Sequence, residues 1–217
     1  MNRPSTRLSK RFLDVTISAT ALVALSPLLV VSAALVRWRL GSPVLFRQQR
    51  IGLGDRPFGI LKLRTMTDER DSEGTLLADD LRVTRLGRFL RNTSIDELPA
   101  LANVLFGQMS LVGPRPLPTR YLPRYTSEQR RRHQVLPGIT GLAQVRGRNR
   151  LSWEDKFRWD IEYVDNQSMR LDLVILSLTV SKVLRRTDID SEHCVSAPEF
   201  LGGEHTKAHE QQPQRAA

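Results

Sequence analysis

The sequence predicts an α+β fold that is predominantly helical: a kinked, membrane-inserted N-terminal helix followed by a small globular domain with one β-hairpin and amphipathic interfacial helices. Three observations point there. Val15 to Val36 is a run of 22 uncharged residues. Residues 43–63 hold two short apolar runs around a glycine-rich turn, and beyond them Leu81–Leu90, the stretch to Phe106, Ser152–Val164 and Leu171–Leu184 read as helices. At 217 residues a single globular core is the default. The expected divisions are 1–40 for the membrane helix, 41–201 for the globular domain and 202–217 for a polar, disordered tail.

As a helix the apolar run is about 33 Å long, enough for a hydrocarbon core of about 30 Å. It exceeds the usual ~7 to 15 residues of a signal-peptide core, and Arg37 and Arg39 follow it directly. A buried soluble helix is the other alternative. Ser26 and Pro27 stand near its middle, where proline removes a helical hydrogen bond and predicts a kink. Four basic residues precede the run and four follow it, so the positive-inside rule assigns no orientation. Both a kinked span and a re-entrant segment remain open on these grounds.

The charge balance fits that placement. The net charge is +10, and residues 1–50 carry eight basic residues against Asp14 alone. The excess therefore belongs to the flanks of an apolar segment rather than to a nucleic-acid surface, and no nucleic-acid partner is expected. Only five of the 33 basic residues are lysine; arginine is the side chain that forks onto phosphate and carboxylate. Cys194 is the single cysteine, which excludes an internal disulfide and suits a reducing compartment.

Further along, Pro43–Gln48, the turn Ile51–Arg56 and Pro57–Leu63 read as a hairpin ending in Lys62, Arg64 and Thr65. Residues 68–80 are acidic and read as a loop; Leu81–Leu90 reads as one helix with a cationic face. An apolar helical stretch ends at Phe106, before the rigid turn Val112-Gly113-Pro114-Arg115-Pro116. Residues 121–134 are polar and arginine-rich, and Pro137-Gly138-Ile139-Thr140-Gly141 is a second turn. Ser152 caps a helix to Val164, and Leu171–Leu184 is apolar on most faces but too short to span, as for a helix at a membrane surface.

Asp96 and Glu97 are the adjacent carboxylates that invite a catalytic role. Ser94-x-x-Glu97 also fits a capping box, in which both acids merely favour a helix dipole. Pro99 complicates the cap: proline prefers the first helical position and would leave both acids in the preceding turn, open to a divalent cation or a phosphorus centre. Arg115, fixed between two prolines, suits a pair of phosphate oxygens or is a solvated turn residue. Lys62, Arg64 and Arg148 carry the same two alternatives. The four histidines form no metal set, and no GxxxxGK or GxGxxG loop is present.

KRFLDV at 10–15, the Ser26-Pro27 break, Lys62-Leu63-Arg64-Thr65-Met66, residues 84–91 (TRLGRFLR), 94–99 (SIDELP), 109–116 (MSLVGPRP), 137–141 (PGITG) and Trp153 through Asp172 stand in order, and the likeness they carry extends over roughly residues 10 to 200. The chain resembles the monotopic bacterial sugar transferases, the polyprenyl-phosphate phosphoglycosyl transferases. That resemblance implies that Asp96 attacks the β-phosphorus of a UDP-sugar, releases UMP and carries a phosphosugar to polyprenyl phosphate, with undecaprenyl phosphate the expected acceptor. It implies Mg²⁺ as cofactor, with Glu97 as its ligand or as a base toward the acceptor phosphate. By family position Arg115, Lys62, Arg64, Arg148 and Asp172 bind substrate. It implies a re-entrant helix broken at Ser26 and Pro27, with the catalytic domain on the cytoplasmic face of the inner membrane. Leu63, Arg146 and the tail depart from the family pattern, and the sugar is not named by any residue. Two rivals make distinct predictions: a membrane-anchored basic protein binding anionic lipid or nucleic acid, for which Asp96 and Glu97 are only a cap, and an aspartyl-phosphate hydrolase, which needs a DxD-type pair.

Overall fold

The Ser26-Pro27 pair ends one helix and begins the next. In the computed structural model, which describes residues 4–147, 151–185 and 199–202, α1 (Pro4–Ala24) and α2 (Ser26–Leu40) meet at a bend of 62°. Pro27 has no N–H for the Val23 carbonyl one turn earlier, and Ser26 Oγ donates to that carbonyl instead, at 2.8 Å. The bend predicted at these residues is present. Among the described residues no single helix is long and apolar enough to cross a membrane; the bent pair has that length and composition only when its halves are counted together.

α1 has two faces of opposite chemistry. Inward, Lys10 Nζ donates to the Asp172 carboxylate at 2.7 Å and the Val112 carbonyl at 3.1 Å. Arg11 donates to the Val104 and Leu105 carbonyls at 2.6 and 2.8 Å, and Asp14 Oδ1 accepts the Leu111 N–H at 3.0 Å. Residues three and four positions apart share a helix face, so KRFLD is a polar seam facing the rest of the chain. Outward, Leu8, Phe12 and Val23 of α1 and Val30, Val31 and Trp38 of α2 are all more than half exposed.

β1 (Leu45–Ile51) and β2 (Pro57–Leu63) form the expected antiparallel hairpin, from Leu45↔Leu63 to Ile51↔Pro57. Its turn places Gly54 and Asp55 at φ of 60° and 65°. Asp55, which lacks glycine's freedom there, is held by Arg130 Nε and His133 Nδ1, each at 2.6 Å from its carboxylate. The helix expected over Leu81–Leu90 is instead two: α3 (Asp79–Arg82) and α4 (Arg85–Asn92). Thr84 breaks it, because its Oγ1 accepts the Gly87 N–H at 2.9 Å as a fresh N-cap. Residues 68–78 form the expected loop, whose last acids enter α3.

α5 (Ala100–Leu105) leads into β3 (Ser110–Val112), which pairs in parallel with β4 (Gly138–Thr140). The two proline-glycine segments read as separate turns are thus neighbours in space. Their approach is close enough that a Cβ on Gly113 would lie 2.3 Å from the Leu136 carbonyl oxygen, and one on Gly138 2.1 Å from the Gly113 nitrogen. α6 (Ser127–Arg130) and α7 (Leu142–Arg146) precede α8 (Trp153–Asn166), which starts at the expected cap with Ser152 Oγ accepting the Asp155 N–H at 3.1 Å. α9 (Met169–Arg185) completes the order. Ile60, Leu101, Val104, Met109, Tyr163 and Ile175 are central to the core, between the hairpin, α5 and the last two helices. α9 turns Leu173, Val174, Leu178 and Val180 outward. The fold is mostly helical with two small sheets, in keeping with the predicted class. Residues 203–217, nearly all of the expected tail, lie outside the described residues.

Candidate active site

Asp96 and Glu97 fall in a single 3-10 turn, Ile95–Glu97, ahead of α5. The capping box is not formed. Ser94 takes a left-handed φ of 57° and its side chain makes no cap bond. Glu97 instead reaches across to two cations: its Oε1 accepts Lys62 Nζ at 2.6 Å and Arg115 Nη2 at 2.8 Å.

Each cation is placed by its own backbone. Lys62 arrives on β2, which the buried Asn103 stitches to α5: Asn103 Oδ1 accepts the Leu61 N–H at 3.0 Å and Nδ2 donates to the Gly59 carbonyl at 2.9 Å. Strand and helix therefore cannot slip against each other. Arg115 follows β3, and its own carbonyl accepts Arg132 Nη2 at 2.7 Å. Arg132 is in turn buried against Asp160, at 2.6 and 3.0 Å. The three consecutive arginines 130–132 are thus spent on separate ties, with Arg131 bonded to Glu128 at 2.5 Å and also to Asp165.

The two acids have opposed environments. For Glu97 burial alone raises the pKa, but Arg115 and Lys62 outweigh it and hold the carboxyl well below the usual carboxylate range. Asp96 is 7% exposed, and burial, then the adjacent Glu97 charge, push its pKa up to about 6 against the pull of Lys62, Arg91 and Arg115. Two carboxylates whose environments separate their proton affinities are the pattern from which distinct chemical roles arise.

Beside them opens a shallow cleft whose walls include Arg50, Ile60, Lys62, Glu97, Met109 and Arg115. Asp96 adjoins it through Glu97 rather than lining it. Arg50 was not singled out from the sequence. Burial, then the charge of Arg115, push its guanidinium pKa down to about 10. The signal for it is the hairpin register: Arg50 lies opposite Phe58 as Phe46 lies opposite Lys62, so Arg50, Ile60 and Lys62 share one sheet face.

Of the residues expected here, Asp96, Glu97, Lys62 and Arg115 come together. Arg64 does not join them: it donates to the Leu40, Ser42 and Met66 carbonyls at 3.1–3.2 Å and to Asp68 at 2.5 Å, tying the end of α2 to the hairpin. Asp172 is 2% exposed and is taken by Lys10 and by Tyr163 Oη, both at 2.7 Å. Its carboxylate thus serves the seam under α1. Ser26 and Pro27 stand at the helix bend, and Arg148 lies outside the described residues. Among the described residues no three His, Cys, Asp or Glu side chains gather as a metal cage. Mg²⁺ commonly takes only one or two carboxylates together with substrate phosphates, and Glu97 Oε2, the oxygen that neither Lys62 nor Arg115 engages, fits that donor set.

A carboxylate pair beside a cleft walled by three cations has the charge arrangement that can hold phosphate anions. The sequence pattern of the bacterial sugar transferases matches residues 5–186. An uncharacterised sugar transferase of Bacillus subtilis, EpsL, is 54% identical over 193 residues, which cover 89% of this chain and 96% of that protein. A UDP-glucose:undecaprenyl-phosphate glucose-1-phosphate transferase of Caulobacter vibrioides is 45% identical over 84% of this chain and 72% of its own length. The enzyme of that name in Klebsiella pneumoniae is 43% identical over 80% of this chain, which corresponds to 39% of that longer protein. The chain belongs to the bacterial sugar transferase family, and it is an enzyme of the phosphoglycosyl transferase kind.

Proposed function

We propose that this protein transfers a sugar-1-phosphate from a UDP-sugar to undecaprenyl phosphate and releases UMP. An Asp96 oxygen attacks the β-phosphorus; the bond from that phosphorus to the bridging oxygen breaks, and UMP leaves with the electron pair. The sugar phosphate stays on Asp96 as an acyl phosphate. A phosphate oxygen of the lipid then attacks the same phosphorus and Asp96 departs as a carboxylate, so one site serves a soluble donor and a lipid acceptor in turn. The observation that carries this reading is the opposed pair: Asp96 with its pKa near 6, ionised at neutral pH yet poorly solvated, and Glu97 clamped by Lys62 and Arg115.

A carboxylate held as acidic as Glu97 is a poor base, which favours a cation-holding role over deprotonation of the acceptor. Mg²⁺ held there with the donor diphosphate offsets negative charge that would otherwise repel Asp96. Lys62 and Arg115 orient Glu97 and add positive charge to the cleft. The named relatives suggest two donors to try first: glucose, as in Caulobacter and Klebsiella, and N-acetylgalactosamine, as in an Aeromonas hydrophila relative.

The acceptor is a membrane lipid, and the outward apolar faces of α1, α2 and α9 supply the surface to meet it. α2, at 15 residues, is about 22 Å long, short of a ~30 Å hydrocarbon core. With the 62° bend this supports a re-entrant hairpin, both ends and the catalytic body being on the cytoplasmic side of the inner membrane. UMP release from UDP-sugars with Mg²⁺, and a phosphosugar adduct on Asp96 when acceptor is omitted, test the chemistry; full activity in Asp96→Ala overturns it. Cysteine labelling before residue 10 and after residue 40 tests the topology, and opposite sides would reject it.

A further inference from the structure

Three cations line the cleft, and two of them, Lys62 and Arg115, are already bonded to Glu97. Arg50 is the third. Its guanidinium donates to Gln48 Oε1 at 2.5 Å, and among the described residues no carboxylate lies within ion-pair distance of it. Its backbone is held on both sides, by pairing with Phe58 in the hairpin and by a bridge to Pro118, so the side chain is presented from a fixed strand. A half-buried arginine crowded by the charge of Arg115 has an unmet need for an anion.

The order of cations along the hairpin says which anion. Lys62 is bonded to Glu97, the neighbour of Asp96. Arg50 stands on the same sheet face but four residues further along β1 from Phe46, the partner of Lys62, with Gln48 and Ile60 as the pair between. Within the cleft Lys62 and Arg115 are therefore the cations on the side of the attacking carboxylate, and Arg50 is the cation further from it. A phosphorus attacked by Asp96 is served by Lys62 and Arg115, and the next phosphate along a diphosphate extends toward Arg50. We propose that Arg50 binds the nucleotide-side phosphate of the donor, the group that departs as a nucleoside monophosphate. This rests on the nucleotide-sugar reading above. Arg50 would hold the bridging oxygen's phosphate as negative charge develops on it, and its forked donors suit two phosphate oxygens.

The test is binding of UMP, uridine and a short-chain polyprenyl phosphate to the full chain in lipid nanodiscs, in an Asp96→Asn background so that nothing turns over. Arg50→Gln is expected to weaken UMP about 10- to 100-fold, the range for a charge-assisted hydrogen-bonded pair, while leaving uridine and polyprenyl phosphate within about twofold. Arg50→Lys, which keeps the charge without the fork, is expected to fall between, and it carries the test if Arg50→Gln does not fold. UMP affinity unchanged in both variants overturns the role of Arg50 and leaves the donor reading standing. Equal loss for uridine, or loss confined to polyprenyl phosphate, also overturns it. Failure of UMP to bind with Arg50 intact overturns both readings together.

Discussion

Replacing Asp96 with asparagine should stabilise the protein while it abolishes transfer. The side chain keeps its shape and loses a charge that the fold holds out of water. Its folded pKa of about 6, against 3.8 unperturbed, corresponds to about 3 kcal/mol at about 1.4 kcal/mol for each tenfold in proton affinity. The sign follows from proton counts. Between those two values the folded protein binds more protons at Asp96 than the unfolded chain, so this group's contribution to stability falls as pH rises through the window and its full cost is present above about 6. For a chain near 200 residues 1 kcal/mol moves Tm by about 2–4 °C, so Asp96→Asn should melt roughly 6–12 °C above the parent at pH 8 without Mg²⁺. The gap should fall to about half by pH 5 and nearly close by pH 4. Differential scanning fluorimetry in detergent across that range reads both numbers. A variant melting at or below the parent at pH 8, or a gap that does not narrow in acid, would refute the account of Asp96 as a carboxylate held against its solvation.

Glu97→Gln should behave oppositely and lower Tm at neutral pH, since Glu97 is stabilised in its charged form and its contribution is lost only as pH falls below its ordinary range. UMP release in the first half-reaction should decline about tenfold for each pH unit below about 6, as the Asp96 carboxylate takes up its proton, which a stopped assay at fixed UDP-sugar checks. Lys10→Met strands the Asp172 charge in the interior and should cost about 3–5 kcal/mol by urea unfolding. The double variant Lys10→Met with Asp172→Leu should recover much of that loss.

What was legible in the sequence is what depends on local chain chemistry. The Ser26-Pro27 bend follows from a missing N–H, the Ser152 cap from one hydroxyl, and the hairpin from two apolar runs around a glycine turn. The cap at Ser94 was left open by the sequence, its spacing favouring a capping box and Pro99 pointing against it; α5 starts after Pro99, and Ser94 makes no cap bond. Pairings over long separations were not legible. β3 and β4 are three residues each, too short for any period, and only their mutual approach explains Gly113 and Gly138. Asn103 lies within the apolar stretch that ends at Phe106, and nothing local marks the bonds its amide makes to β2. Arg50 was hidden by abundance, as one arginine among 28, and becomes visible only when the hairpin register puts it on the face of Lys62.

The polar seam beneath α1 sets an order of events during synthesis. Asp14 finds the Leu111 amide 97 residues further along the chain, and Lys10 finds Asp172 162 residues further along. α1 therefore leaves the ribosome long before its partners exist, with its ionic face unmatched and its apolar face uncovered. A version begun at residue 41 would strip Asp172, the Leu111 amide and the Val104 and Leu105 carbonyls of their partners at once. The first helix is thus fixed to the later chain by three of its side chains, Lys10, Arg11 and Asp14, and any displacement of α1 is passed directly to the segments that precede and follow the Asp96-Glu97 cleft.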